Sequence, residues 1–160
     1  DVPDLDGQRF GLLLTAEDCA VHQFEPLPTP TGLFAWTAPV NRSVRPTAAT
    51  VDAFSVQAVK SGAMASEAHF GLPCAQAEAD EPVADGLARW ARELALDCIV
   101  TPRLPLGPMR KAVHAACSSQ GLTLVEVTRA YDQAVWPHAR AGFFGLKKKI
   151  PAILASLSLT

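Results

Sequence analysis

Short apolar runs alternate with longer amphipathic stretches along this chain. Four runs have the length and continuity of buried strands, and they lie near residues 10–14, 33–37, 97–101 and 122–127. Apolar positions recur at helical spacing in three further stretches, near residues 47–69, 83–95 and 108–120. Strands that alternate with helices are typical of a parallel sheet covered by helices. The pattern predicts an α/β fold, a three-layer Rossmann-like sandwich with a mostly parallel sheet of four to five strands.

The first predicted helix has the least regular pattern. The apolar positions that suggest its buried face are Val51, Phe54, Ala58 and Val59. Gly62 lies inside the segment and leaves open whether one continuous helix forms, whereas Gly71 is a good stop signal. The stretch from Cys74 to Glu81 is small and acidic, and it predicts a loop.

Length and charge limit the classes of protein. The 160 residues fit one domain, so we expect residues 1–160 to form a single α/β domain. The chain does not begin with methionine, which suggests a processed product or part of a longer chain. A net charge of −2 argues against a dedicated nucleic-acid-binding module. No apolar run approaches the ~20 residues that span a bilayer and no signal segment is evident, so we expect a cytoplasmic protein without a membrane partner.

The cysteine and histidine patterns identify no metal site and no catalytic group. Cys19, Cys74, Cys98 and Cys117 contain no CxxC pair, so we expect four reduced, unpaired thiols. The histidines stand in neither a zinc-binding motif nor a nucleophile motif. We therefore assign no catalytic residue.

The loop between the third predicted strand and the helix that follows is the first candidate for ligand binding. It reads VTPRLPLGP, and Thr101, Arg103 and Gly107 are its candidate ligand contacts. Loops at this end of a parallel strand hold ligands in open α/β sheets. The loop lacks the glycines and lysine of a phosphate-binding loop, and its prolines remove amide donors. A stiff structural turn is an equally good interpretation.

An aromatic and basic segment follows the last strand. Trp136, His138 and Arg140 are candidate ligand contacts, because aromatic rings interleaved with cations can stack a base or clamp a phosphodiester. The favoured interpretation is structural, with Trp136, Phe143 and Phe144 buried as core or interdomain anchors. Arg140 and Lys147–Lys149 then form the main basic patch.

The second half of the chain resembles a known family. Residues Glu81–Leu154 resemble the α/β domain of the photolyase and cryptochrome family, in particular deoxyribodipyrimidine photolyase-like proteins. The resemblance rests on the order strand, helix, strand and on three segments, the VTPRLPLGP loop, WPHARAGFF and FFGLKKKIP. The resemblance implies a parent flavoprotein, a lyase, that acts in DNA photorepair or light sensing. It places FAD and the DNA contacts in a separate helical domain, which would be the partner of this chain.

Under that resemblance, this chain is a scaffold or an antenna-chromophore seat, with no cofactor and no catalytic residue of its own. The alternative is a free-standing small-molecule or nucleotide-binding α/β protein that uses the carboxyl edge of its sheet. The lack of a phosphate-binding motif weighs against this alternative. Enzyme activity stays open under the first interpretation, because the chemistry belongs to the other domain.

Overall fold

A computed structural model describes residues 4–24, 27–38, 45–78, 80–140 and 142–158. The chain divides into two compact units, Val2–Val127 and Thr128–Thr160. All strands of the described part belong to the first unit. The second unit is built from short helices.

One parallel sheet organises the first unit. Its strands are β1 (Phe10–Leu14), β2 (Gly32–Ala35), β3 (Cys74–Ala75), β4 (Cys98–Pro102) and β5 (Thr123–Val127). They lie in the order β3-β2-β1-β4-β5, and every neighbouring pair is parallel. The chain winds outward from β1 to β3 and then crosses back to β4, so the topological switch point lies between β1 and β4. The predicted Rossmann-like α/β fold is confirmed.

Helices cover both faces of this sheet. α1 (Ala49–Phe70) packs on one face, and α2 (Val83–Glu93) and α3 (Pro108–Ser119) pack on the other. Successive strand side chains point to opposite faces. Leu12 and Leu14 of β1 accordingly belong to the core on the α1 side, whereas Leu13 belongs to the core beneath α2 and α3. The three layers therefore follow from the central strands β1, β2 and β4, which are buried on both faces.

Two strand glycines let α2 approach the sheet closely. Gly11 of β1 and Gly32 of β2 are register partners. A Cβ atom at Gly11 would lie 2.3 Å from the Trp90 ring, and one at Gly32 would lie 3.0 Å from it. Trp90 of α2 fills this slot, is 5% exposed, and contacts the ring of Phe34 at a centroid distance of 5.3 Å. The side chains missing from the strands are thus replaced by an indole from the helix.

α1 runs without interruption through Gly62, which settles the question that the sequence left open. A Cβ atom at Gly62 would lie 2.3 Å from the backbone oxygen of Cys19, so glycine allows the helix to touch the segment after β1. The helix buries Val59, Gly62 and Ser66. This contact face turns Val51 and Phe54 away from the core. Val51 and Phe54 are 49% and 74% exposed, and the prediction that they lie on the buried face was wrong.

The segment from Cys74 to Glu81 was predicted as a loop, but it begins with the two-residue edge strand β3. Pairing with Leu33 and Phe34 of β2 orders it. The pattern gave no signal because so short a strand has no measurable alternation. All four cysteines are free thiols, as predicted.

The second unit contains α4 (Ala130–Val135), a 3₁₀ helix (Trp136–His138), α5 (Phe143–Lys147) and α6 (Ile150–Ser156). Trp136, Phe143 and Phe144 are 45%, 63% and 78% exposed, so the prediction that they are buried was wrong. Helices of five to seven residues offer too little surface to cover three large rings. Among the described residues from 128 to 158, Ile153 alone is buried.

Candidate ligand cleft at the carboxyl edge of the sheet

A cleft opens over the carboxyl ends of β1 and β2. Ala16, which follows β1, and the segment from Trp36 to Ala38, which follows β2, form its floor. The first turns of α1 form one wall, and Met109 at the start of α3 closes the opposite side. Because α3 follows β4, the cleft has residues from both sides of the switch point. Open α/β sheets bind their ligands at this place.

Trp36 is the most unusual residue of the cleft. It is 6% exposed and lies directly after β2, where its indole ring joins the core beneath α2 and α3. Its Nε1 atom is buried and has no hydrogen-bond partner among the residues that the structure describes. An unpaired buried donor costs about 1–3 kcal/mol, and nearly all such groups in proteins are satisfied. The Trp36 N–H is therefore an exception among the polar groups of the described residues.

Asp52 adds a negative charge to the same cleft. It lies in the first turn of α1, and its carboxylate makes no hydrogen bond or ion pair within the described part of the chain. A carboxylate in this position also interacts favourably with the helix dipole. Ser55, one turn further along, and Thr37, after β2, bring hydroxyl groups to the lining. Val51, Val56 and Val59 make the rest of the α1 wall apolar.

The cleft is narrow inside and open at its mouth. The part of the cleft that the centre of a water molecule can occupy has a volume of about 20 Å³. The whole depression, with its solvent-open part included, has a volume of about 360 Å³. The smaller volume decides what can be enclosed, because it corresponds to about one water-sized group. The larger volume shows that the remainder of a ligand would lie in the mouth.

The turn after β1 does not resemble a dinucleotide-binding loop. Thr15 and Asp18 exchange backbone hydrogen bonds, with N···O distances of 3.1 and 3.4 Å. The amide of Glu17 donates to Thr15 Oγ1 at 3.2 Å, and the amide of Ala20 donates to Asp18 Oδ1 at 3.0 Å. These amides are the donors that would cradle a pyrophosphate in a glycine-rich loop. Since they donate within the turn, these amides are not available to a phosphate group.

The loop from Thr101 to Pro108, predicted as a candidate site, is braced by Glu126 of β5. Glu126 Oε1 accepts a hydrogen bond from the amide of Leu104 at 3.1 Å, and Oε2 accepts one from Arg110 of α3 at 2.6 Å. His114 Nε2 lies 3.6 Å from the same carboxylate. Glu126 is 16% exposed, so this interaction is shielded from water and holds the loop against the start of α3.

The predicted ligand contacts of this loop have different surroundings. Thr101 is fully buried, and its Oγ1 donates to the Leu13 carbonyl at 3.2 Å, which ties β4 to β1. Arg103 is exposed, and its amide donates to Val127 O at 2.7 Å. Gly107 has an extended backbone and precedes α3. Thr101 thus has a structural role, and the loop fits the interpretation of a stiff turn.

The other three predicted contacts belong to the second unit. Trp136 and His138 lie in the 3₁₀ helix, and Arg140 follows it; all three are exposed. None of them lines the cleft described above. The six predicted residues are therefore divided between the two units.

The cleft residues were missed because each has an ordinary explanation in the sequence. Trp36 fits a strand core together with Phe34, and Asp52 fits a solvated helix position. The order of elements along the chain could have identified these two residues. Trp36 directly follows β2, and Asp52 lies in the first turn of the helix that comes after β2. Both positions lie at the carboxyl edge of a parallel sheet.

A second, shallow depression is formed by acidic residues around Arg89. Arg89 donates two hydrogen bonds to Glu81, at 2.9 and 3.1 Å, and lies 3.4 Å from Glu93. The Arg89 side chain holds the pKa of the Glu81 carboxyl below its ordinary value. This cluster ties the start of α2 to the preceding segment and has no free cation to offer a ligand.

The described residues contain no cluster of metal-ligating side chains and no helix long and apolar enough to cross a bilayer. Comparison with protein-family models, with curated proteins and with solved structures finds no match to this chain.

Proposed function

We propose that this chain is a small-molecule-binding α/β protein whose ligand is a hydroxyl-bearing compound of the sugar or nucleoside class. The observation that carries the proposal is the cleft at the switch point, whose lining residues include Trp36, a residue with a buried indole donor that has no partner among the described residues. This choice favours the ligand-binding alternative that the sequence left open. The chemistry of the lining selects the ligand class.

The Trp36 N–H requires an acceptor, since tryptophan has no other hydrogen-bonding function. The Asp52 carboxylate, when ionised, only accepts and so requires a donor. A phosphate satisfies the indole but is repelled by Asp52. An ammonium group satisfies Asp52 but offers nothing to the indole. A hydroxyl group both accepts and donates, so it serves the two residues together.

The remaining lining fits the same class of compound. Ser55 and Thr37 supply further hydroxyl partners, and Val51, Val56 and Met109 supply apolar contact for a ring face. Space for one water-sized group inside the cleft suits a single ligand hydroxyl. Apolar walls with a few converging polar groups are typical of small-molecule sites.

Isothermal titration with adenosine and with 2′,3′-dideoxyadenosine tests the proposal. We expect adenosine to bind at least about 10-fold more tightly, because a site that pairs with a hydroxyl group penalises its loss. Trp36→Phe should remove this preference, and Asp52→Asn should weaken it, because an amide oxygen is a poorer acceptor than a carboxylate. Asp85→Asn is the matched control, because Asp85 stands in the first turn of α2 as Asp52 does in α1.

Two outcomes would contradict the proposal. One is equal affinity for the two nucleosides or no binding of either at millimolar concentration. The other is an unchanged hydroxyl preference in both Trp36→Phe and Asp52→Asn.

The photolyase-like function stays a prediction and is the second candidate. The exposure of Phe143 and Phe144 favours it, because exposed rings on a small unit suit burial against another domain. Under this interpretation the chain is a scaffold or antenna-chromophore seat, and FAD and DNA contacts belong to the helical domain. The purified chain should then lack flavin absorbance and repair activity. A yellow preparation that repairs ultraviolet-damaged DNA would contradict the implied placement of FAD and the repair chemistry in a separate helical domain.

A further inference from the structure

The charge of this chain is strongly uneven. Residues 128–160 contain five basic residues and one acidic residue, a net charge of +4, although the whole chain carries −2. Residues 1–127 therefore carry −6. Three of the basic residues are consecutive, Lys147–Lys149, and all three are exposed. A local cationic surface of this kind attracts an anionic partner.

Exposed apolar side chains directly adjoin these lysines. Phe143 and Phe144 are 63% and 78% exposed, and their ring centroids lie 5.7 Å apart. Phe143 and Lys147 are four residues apart on α5, so they are neighbours on the helix surface. Ile150, which follows the lysines, is 38% exposed. Water is a poor environment for such rings, and each is worth roughly 1.5–3 kcal/mol on full burial.

We propose that this surface, formed by Phe143, Phe144, Lys147, Lys148, Lys149 and Ile150, binds the surface of an anionic lipid bilayer. The lysines contact lipid headgroups, and the phenylalanines enter the boundary between headgroups and acyl chains. Aromatic and basic residues in combination are the means by which proteins lie on a membrane without crossing it. The sequence expectation of no membrane partner rested on the lack of a spanning segment, which a peripheral contact does not need.

A bilayer fits the geometry better than single-stranded nucleic acid does. The two phenyl rings meet at an interplanar angle of 65°, so they do not present parallel faces on which successive bases could stack. Insertion into acyl chains does not depend on ring orientation. Ile150 contributes to insertion but has no face for base stacking. The proposal is independent of the cleft at the carboxyl edge of the sheet, which lies in the other unit.

Vesicle co-sedimentation of the full chain tests this inference. Vesicles of phosphatidylcholine alone are compared with vesicles that contain about one third phosphatidylserine. We expect strong binding to the anionic vesicles only, weakened by raised salt because surface charges are screened. Replacing all three lysines by glutamine should weaken binding roughly 100-fold, because each basic residue near an anionic surface contributes about a 5-fold factor.

Phe143→Ala and Phe144→Ala test the insertion step separately. Each should weaken binding to anionic vesicles by at least about 10-fold, since a buried aromatic ring contributes more than one surface charge. Phe54→Ala is the matched control, because Phe54 is 74% exposed on α1 in the other unit. Lys60→Gln with Lys111→Gln controls for loss of exposed lysines elsewhere. The replaced side chains are all exposed, so circular dichroism melts should show folded proteins.

Three results would overturn the inference. Equal binding to neutral and anionic vesicles would show that the lysines do not contribute to binding. Equal losses of vesicle affinity in the Phe54→Ala control and in the α5 variants would show that this surface is not the binding site. Tighter binding to a single-stranded oligonucleotide than to anionic vesicles would identify nucleic acid as the partner instead.

Discussion

Gly62→Ala is the substitution that tests the packing of α1 most sharply. In an exposed helix position this change would stabilise a protein, because alanine is favoured over glycine in a helix by about 1 kcal/mol. At Gly62 the new methyl group would lie 2.3 Å from the Cys19 carbonyl oxygen and 2.8 Å from the Cys19 Cβ. The nearest atom belongs to the backbone, so it cannot move aside by a rotamer change. Relief requires a shift of α1 or of the segment after β1.

Overpacking of this kind costs about 1–3 kcal/mol, and a backbone neighbour puts the cost near the upper limit. After subtraction of the gain in helix propensity, we expect a net loss of about 2 kcal/mol in the free energy of unfolding. For a chain of this length, each kcal/mol lowers Tm by about 2–4 °C, so the expected decrease is about 4–8 °C.

Thermal melts followed by circular dichroism measure this difference. Ser61→Ala is the control, because Ser61 is the exposed neighbour of Gly62 in α1 and its replacement improves helix propensity without a new contact. The control should melt at or slightly above the wild-type temperature. A Gly62→Ala protein that melts as high as wild type would show that α1 does not lie against Cys19.

Three further predictions concern stability. Trp90→Ala should lower the free energy of unfolding by about 3–5 kcal/mol in urea titration, because the ring fills the slot above the strand glycines; Trp136→Ala, at a half-exposed site, should cost far less. Glu126→Gln should cost about 1–2 kcal/mol, because it weakens the charge-assisted bond to Arg110, and the exposed pair partner Glu93→Gln should change stability by less than about 0.5 kcal/mol. Burial, together with the nearby charge of Glu67, raises the pKa of the Cys74 thiol from 9.0 to about 12. The unfolded chain therefore loses this proton at a lower pH than the folded chain does, and the free energy of unfolding should fall as pH rises from about 9 to about 12. The urea midpoint of Cys74→Ala should decline less steeply over that range, and equal slopes for the two proteins would contradict the assignment.

The long-range architecture was predictable because its signals are repeated along the chain. The central strands β1 and β2 are unbroken apolar runs, and Met109, Val113 and Cys117 mark the buried stripe of α3 as the pattern indicated. Prediction failed where one local contact outweighed the pattern. The Gly62–Cys19 contact selects the small face of α1, which no periodicity scale can anticipate.

The candidate site was less predictable than the fold for a physical reason. Trp36 and Asp52 belong to different elements and line the same cleft only when the carboxyl edge is assembled. The unpaired state of the Trp36 N–H is a property of the folded environment and leaves no trace in the sequence. The same holds for Phe143 and Phe144, whose exposure depends on how short the neighbouring helices are.

The Trp36 indole resonance offers the most direct test of the proposed ligand cleft. The chain has three tryptophans, so a ¹H–¹⁵N correlation spectrum should show three indole N–H peaks, and the peak missing in Trp36→Phe identifies Trp36. Addition of adenosine should shift this peak downfield as its N–H gains an acceptor, whereas the Trp90 and Trp136 peaks stay in place. An unmoved Trp36 peak at saturating adenosine, or equal movement of all three peaks, would contradict a hydroxyl-binding site at this edge of the sheet.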